Sequence, residues 1–222
     1  MSIWTLYHGS SVIIEKPCFG VGHRYNDYGL GFYCTEHIEL AKEWACTDKS
    51  SGFANAYILN VDGLKLLDLT SSEFGILNWM AILVDNRRVS SSTPLINRGK
   101  AWLKDNYLID ISKYDVISGY RADDAYFSFA RAFLGNEITV EQLSLAMRLG
   151  SLGIQRVLKS EKAFERIEFT GFESAERSEY YPRRTARDRA ARKEFQEILE
   201  KEDAGGFYLS DLMRKEIKQY VK

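Results

Sequence analysis

Two short stretches near the start, Leu6-Tyr7-His8-Gly9-Ser10 and Gly29-Leu30-Gly31-Phe32-Tyr33-Cys34-Thr35, decide how this chain is read. The first places a histidine and a glycine at the end of a strand over residues 3–8. The second places a tyrosine on another short strand, Phe32 to Thr35, straight after a glycine-rich turn. A histidine at a strand end can hydrogen-bond a sugar hydroxyl, and a glycine beside it lets a planar amide approach the backbone closely. A histidine satisfied by its neighbours next to a turn glycine is the simpler reading of the first stretch alone. Only the two stretches together point to a site.

Outward from them, residues 18–31 form a glycine-rich loop with Asn26 and Asp27, able to reach over a site. Thr35 is expected to cap a helix with Glu36 and Glu39 in its first turn and Ile38, Ala41, Trp44 and Ala45 inward. Ala54 to Val61 alternates as a strand, and Leu64 to Leu69 is another candidate. From Ser72 the period turns helical: Phe74, Leu77, Met80, Ala81 and Val84 share a stripe, and Trp102, Leu103 and Tyr107 suggest a second helix. Tyr114 to Gly119 reads as a buried strand, followed by a helix over about residues 124–134. Thr139 with Gln142 resembles a capping box for the next helix. Gln155 to Lys159 and Arg166 to Phe169 read as strands around a helical turn at Glu161 to Glu165. Beyond Gly171 the composition becomes charged and helical, with Pro182 expected to begin a long helix and Gly205-Gly206 to divide the tail in two. Strands, then helices, then strands argue an α+β fold. Residues 1–171 are expected to form its main domain, and residues 172–222 a charged helical extension packed on it.

Forty-five per cent of the 222 residues are hydrophobic, enough for a continuous core. Thirty basic residues against 31 acidic give a net charge of −1, so no global field draws the chain to nucleic acid or to an anionic membrane. Cys18, Cys34 and Cys46 are odd in number and unpaired in spacing. They read as reduced thiols, not as a disulfide framework or a zinc site, and no metal is expected. No signal peptide is read at the start, and no apolar run approaches the roughly 18 residues of a membrane span. A soluble, cytoplasmic chain is the expectation.

The His8-Gly9 and Tyr33 segments together resemble the first two motifs of the ADP-ribosyltransferases of the His-Tyr-Glu type, the group of diphtheria toxin and the poly(ADP-ribose) polymerases. The resemblance covers roughly residues 3–170. It implies a split β-sheet core with helical insertions, and NAD as a substrate bound in a cleft. It further implies that His8 orients ribose, that Gly9 reads the carboxamide, with backbone or Ser10 standing in for a family serine that Ala41 replaces here, and that Tyr33 and Trp44 stack on nicotinamide. The third motif of the group begins with a glutamate. Its best match here is Gln155-Arg156-Val157-Leu158, which puts an uncharged amide at Gln155. Such an amide can accept a bond from a ribose hydroxyl but cannot act as a base, so the resemblance is to mono-ADP-ribosyltransferases and not to chain-elongating polymerases. The chain is also similar to small bacterial proteins of this type often encoded in toxin–antitoxin or defence loci. That implies a macromolecular acceptor, protein or nucleic acid, and an antitoxin partner.

Each assignment has a plainer counterpart. Tyr33 and Trp44 fit as core aromatics and Gln155 as a surface strand residue. Asp123 and Asp124 fit first as a helix N-terminus, with Asp123 second as a base for the incoming nucleophile. The run Arg183, Arg184, Arg187, Arg189, Arg192 and Lys193 fits a salt-bridged helix, with Arg184, Asp188 and Arg192 at i, i+4, i+8, or a local strip for nucleic-acid phosphates. A catalytically degenerate NAD- or ADP-ribose-binding module, or a partner-binding scaffold, is the alternative to an enzyme.

Overall fold

In the computed structural model, Ile3–Ser10 (β1) and Gly52–Asn60 (β3) run antiparallel from Ile3↔Asn60 to Ser10↔Phe53. The structure describes residues 2–89, 93–122, 124–149, 153–201, 203 and 205–214. On its other edge β1 meets Phe32–Thr35 (β2) at a single pair, Tyr7↔Thr35. Beyond β2 come Gln155–Leu158 (β6), Val116–Gly119 (β5) and, parallel to it, Leu66–Asp68 (β4). Ile167–Ala175 (β7) flanks β3 at the opposite edge. The result is one mixed sheet of seven strands in the order β4-β5-β6-β2-β1-β3-β7. The split expected for the core is therefore a narrowing and not a break: the two parts of the sheet are held together by one residue pair.

Eight α-helices lie among the described residues: Ile38–Ala45 (α1), Ile76–Asn86 (α2), Pro94–Tyr107 (α3), Asp124–Leu134 (α4), Val140–Ala146 (α5), Glu161–Phe164 (α6), Arg177–Leu199 (α7) and Leu209–Arg214 (α8). The stripe expected on α2 understates it. Trp79, Ile82 and Leu83 are buried along with Leu77, Met80, Ala81 and Val84, as befits a helix enclosed on most sides. These side chains join Phe129 and Phe133 of α4 and Leu143 of α5 in the main core, against Leu67, Ile117 and Val157 of the sheet. A smaller cluster of Leu6, Cys34, Leu59, Val116 and Leu158 is closed by Ala163 of α6. The Thr139 capping box forms in both directions, with Thr139 Oγ1 accepting the Gln142 N–H and Gln142 Oε1 accepting the Thr139 N–H.

Four expectations need correction. Thr35 does not cap α1, because it is the end of β2 and pairs with both Tyr7 and Gln155; His37 takes the capping position without a side-chain bond. Pro182 does not begin α7 but lies inside it. Proline has no N–H for the Ser178 carbonyl, so this first stretch is held from outside. Arg177 donates from its backbone to Ser51 Oγ (2.9 Å) and from Nε to the Asp48 carbonyl (2.8 Å), and the Tyr180 hydroxyl reaches Glu39 (3.3 Å). Arg184 does not pair with Asp188. Its Nη1 donates to the Cys46 carbonyl (3.4 Å), and Asp188 pairs with Arg192 (2.8 Å). The strand expected over 166–169 also continues, through Gly171 to Ala175, because β3 offers a partner along its whole length.

Candidate functional site

Where β1 and β2 part, a cavity of about 600 Å³ opens, lined among others by His8, Asp27, Phe32, Tyr33, Arg121 and Gln155. This volume falls within the roughly 300–1,000 Å³ usual for small-molecule sites. The sheet register explains the convergence. Gly119, Gln155, Thr35 and Tyr7 are successive partners across β5, β6, β2 and β1, and His8 is the first β1 residue beyond the last pair with β2. His8 and Gln155 thus stand two strands apart, roughly 10 Å across the sheet at ordinary spacing.

His8 has one state. Its Nδ1 lies 2.7 Å from the Tyr33 carbonyl oxygen, which can only accept, so Nδ1 carries the hydrogen. Burial holds the imidazole below the ordinary histidine value, and Arg121 adds to this while the Tyr33 carbonyl opposes it. The ring is neutral at pH 7, its Nε2 is a bare acceptor, and it stacks on Phe32 with centroids 4.4 Å apart.

Gln155 is not a surface residue; it is 2% exposed. Its Nε2 donates to Asp27 Oδ2 (3.0 Å) and to the Tyr120 carbonyl (3.0 Å). Both partners are acceptors, which fixes the amide the right way round. Asp27 Oδ2 also accepts the Ala122 N–H (2.8 Å), and Asp27 Oδ1 pairs with Arg87 Nη1 (3.0 Å). Among the described residues neither His8 Nε2 nor Gln155 Oε1 meets a protein donor, and no buried side-chain nitrogen or oxygen is left without a partner. Both acceptors therefore face the open space of the cavity that their residues line.

The other expected residues divide. Tyr33 lines the cavity, and its hydroxyl donates to the Gly29 carbonyl (2.6 Å) and accepts the Tyr28 N–H (3.0 Å). Burial raises its phenol well above the ordinary tyrosine value, and its two bonds tie the hydroxyl to the loop backbone. Trp44 is not in the wall of this cavity but in that of a neighbouring one, and the Arg121 guanidinium covers its face 3.2 Å from the ring centre. Gly9 is a glycine for a packing reason: a Cβ there would lie 2.1 Å from the Ala41 carbonyl oxygen of α1. Ala41 is fully buried, and Ser10 Oγ accepts the Val12 N–H (3.2 Å) instead of facing the cavity. Asp123 lies outside the described residues. The loop 18–31 does form a wall, through Val21, Gly22, His23, Asn26 and Asp27.

Asp27, Arg87, Arg121 and Lys16 also line the cavity, and no motif in the sequence marks them as site residues. Asp27 reads from sequence only as part of the glycine-rich loop, and Arg87 carries no local signal. A usable signal was present: a loop longer than about 12 residues without regular structure inside a domain is usually functional, and Asp27 is the only carboxylate in residues 18–31. Among the described residues no helix is long and apolar enough to cross a membrane.

No protein of curated function and no solved structure matches the chain. One family profile does match, over residues 4–169, from β1 into β7 and so across every strand that frames the cavity. Its description is "Protein of unknown function (DUF3990)", and the chain belongs to that family.

Proposed function

We propose that the chain is a mono-ADP-ribosyltransferase that takes NAD into the cavity between β1 and β2. The observation that carries this reading is the pair of fixed acceptors, His8 Nε2 and Gln155 Oε1, each held from behind and each open to one cavity. Two acceptors with no competing donor role suit the hydroxyl donors of ribose. Among the described residues of the wall, Lys16, Arg87 and Arg121 stand against the one carboxylate of Asp27, which suits a pyrophosphate. In the reaction the C1′–N bond to nicotinamide breaks, its electron pair neutralises the pyridinium, and the acceptor's nucleophile bonds C1′ and loses a proton. Gln155 would hold the 2′-hydroxyl as positive charge develops on the sugar. The Tyr33 ring would meet nicotinamide, and Trp44 would join it only if Arg121 swings away. Gly9 would contribute backbone alone.

The acceptor is a macromolecule, and the exposed Phe19, Val21 and Tyr25 of the loop beside the mouth are suited to select it. Two arginines of the tail are already engaged, Arg183 with Glu39 and Arg187 with Glu43, which weakens the case for a phosphate strip. A cytoplasmic toxin restrained by an antitoxin fits this reading. One observation favours the second reading, a binding module without turnover: Gln155 is uncharged and the Asp27 charge is matched by Arg87.

Incubation with NAD labelled in its adenylate part tests the choice. Transfer of label to protein or nucleic acid with release of nicotinamide, abolished in His8→Ala, is the expected result. Binding of NAD without nicotinamide release would select the binding module, and no binding at all would end both readings.

A further inference from the structure

We propose that Asp27 is a positioning residue for Gln155: by accepting one of the two Nε2 protons it turns the amide oxygen, and not the nitrogen, towards the cavity. This deepens the NAD reading and rests on it. A glutamine amide is nearly symmetric in shape, so a free one presents either end to a ligand. Here Asp27 Oδ2 and the Tyr120 carbonyl take both Nε2 protons at 3.0 Å. The Tyr120 carbonyl also accepts from the Tyr28 hydroxyl (2.8 Å) and Trp79 Nε1 (3.1 Å), so it is shared among three donors. The carboxylate is the stronger of the two anchors, because bonds to a charged acceptor are about twice as strong as neutral ones.

Asp27 is itself held in place. Arg87 grips one oxygen, the Ala122 N–H the other, and the side chain is 9% exposed. Arg87 also donates to the Ala122 carbonyl and lies over the Phe127 ring at 4.1 Å. The charge is therefore balanced, and its role is not to contact the sugar but to set the polarity of the amide that does. Because Asp27 belongs to the loop 18–31, the seating of that loop and the correct setting of Gln155 are one event. A ligand group placed against Gln155 must then be a donor, such as a hydroxyl; a carbonyl or ether there is rejected.

Two measurements on the full chain test this, one without ligand. The side-chain amide protons of Gln155, assigned in a ¹⁵N spectrum by their absence from Gln155→Glu, should be slow to exchange in the wild type. In Asp27→Asn, which keeps shape but removes one of two acceptor oxygens, exchange should quicken at least tenfold; Asp27→Ala is the harsher second variant. The other measurement compares affinity for NAD and for NAD lacking the 2′-hydroxyl of its nicotinamide ribose. The wild type should lose roughly tenfold with the deoxy compound. In Asp27→Asn that ratio should fall towards one. Unchanged amide exchange, or an unchanged ratio with both affinities lowered together, would overturn the proposal. Failure of the wild type to bind NAD while the amide remains protected would sink the NAD reading and leave the Asp27–Gln155 bond standing.

Discussion

Single side chains decide what the cavity can recognise, and two of them make direct predictions. His8 resists protonation because it is buried, so the unfolded chain takes up its proton first as the pH falls. Its contribution to stability is fully present above the ordinary histidine value of about 6.5 and is lost as the pH drops through the lowered one. Urea unfolding from pH 8 to 5 should show the wild type losing more stability than His8→Gln below about pH 6.5, and a parallel loss would contradict this. Gly9→Ala should destabilise by roughly 1–3 kcal/mol, since the new methyl meets the α1 backbone and not a flexible side chain. A neutral substitution, measured by denaturant midpoint, would show that α1 can retreat. Residues of this kind were unevenly legible. His8 and Tyr33 stand out because their motif is local in sequence. Asp27 does not, because its partners Arg87, Ala122 and Gln155 are brought to it only by the fold.

Elements were more legible than contacts between them. The α4 boundaries and the Thr139 cap follow from periodicity and local chemistry, which need no tertiary knowledge. The start of α7 does not, because Arg177 and Tyr180 are held by α1 and the segment before β3, remote in sequence. The docking of α7 on α1 depends on Arg187, which meets the 4% exposed Glu43 side chain at 2.7 and 2.9 Å. Arg187→Ala should cost about 3 kcal/mol by leaving that carboxylate buried without its guanidinium, with part recovered in Glu43→Gln/Arg187→Ala. A loss below about 1 kcal/mol would place the pair among exposed ones. The loop 18–31 is pinned at its second half, where Lys159 Nζ donates to the carbonyls of Tyr28 (2.6 Å) and Leu30 (2.5 Å). Burial lowers the Lys159 ammonium to about 8. Lys159→Met should speed tryptic cleavage at Arg24 severalfold, read by mass spectrometry, while an unchanged rate would mean that Tyr33 and Asp27 hold the loop alone.

Across the whole molecule, the site is a consequence of topology. A seven-stranded sheet joined at Tyr7↔Thr35 alone in its middle must open on one side of that pair, and the chain fills the gap with acceptors, cations and a long loop. With a net charge of −1, recognition has to come from that local arrangement and not from the field of the molecule. The mixed α and β composition was legible because strands and helices each declare themselves by period, although the fold interleaves the two along the chain. The near-division of the sheet was not derivable from residue patterns, since β1 and β2 each look like ordinary strands. A crystal structure of the chain with NAD tests the central claim most directly. Ribose hydroxyls should lie about 3 Å from His8 Nε2 and Gln155 Oε1. NAD seated elsewhere, or turned so that neither acceptor meets a hydroxyl, would contradict it.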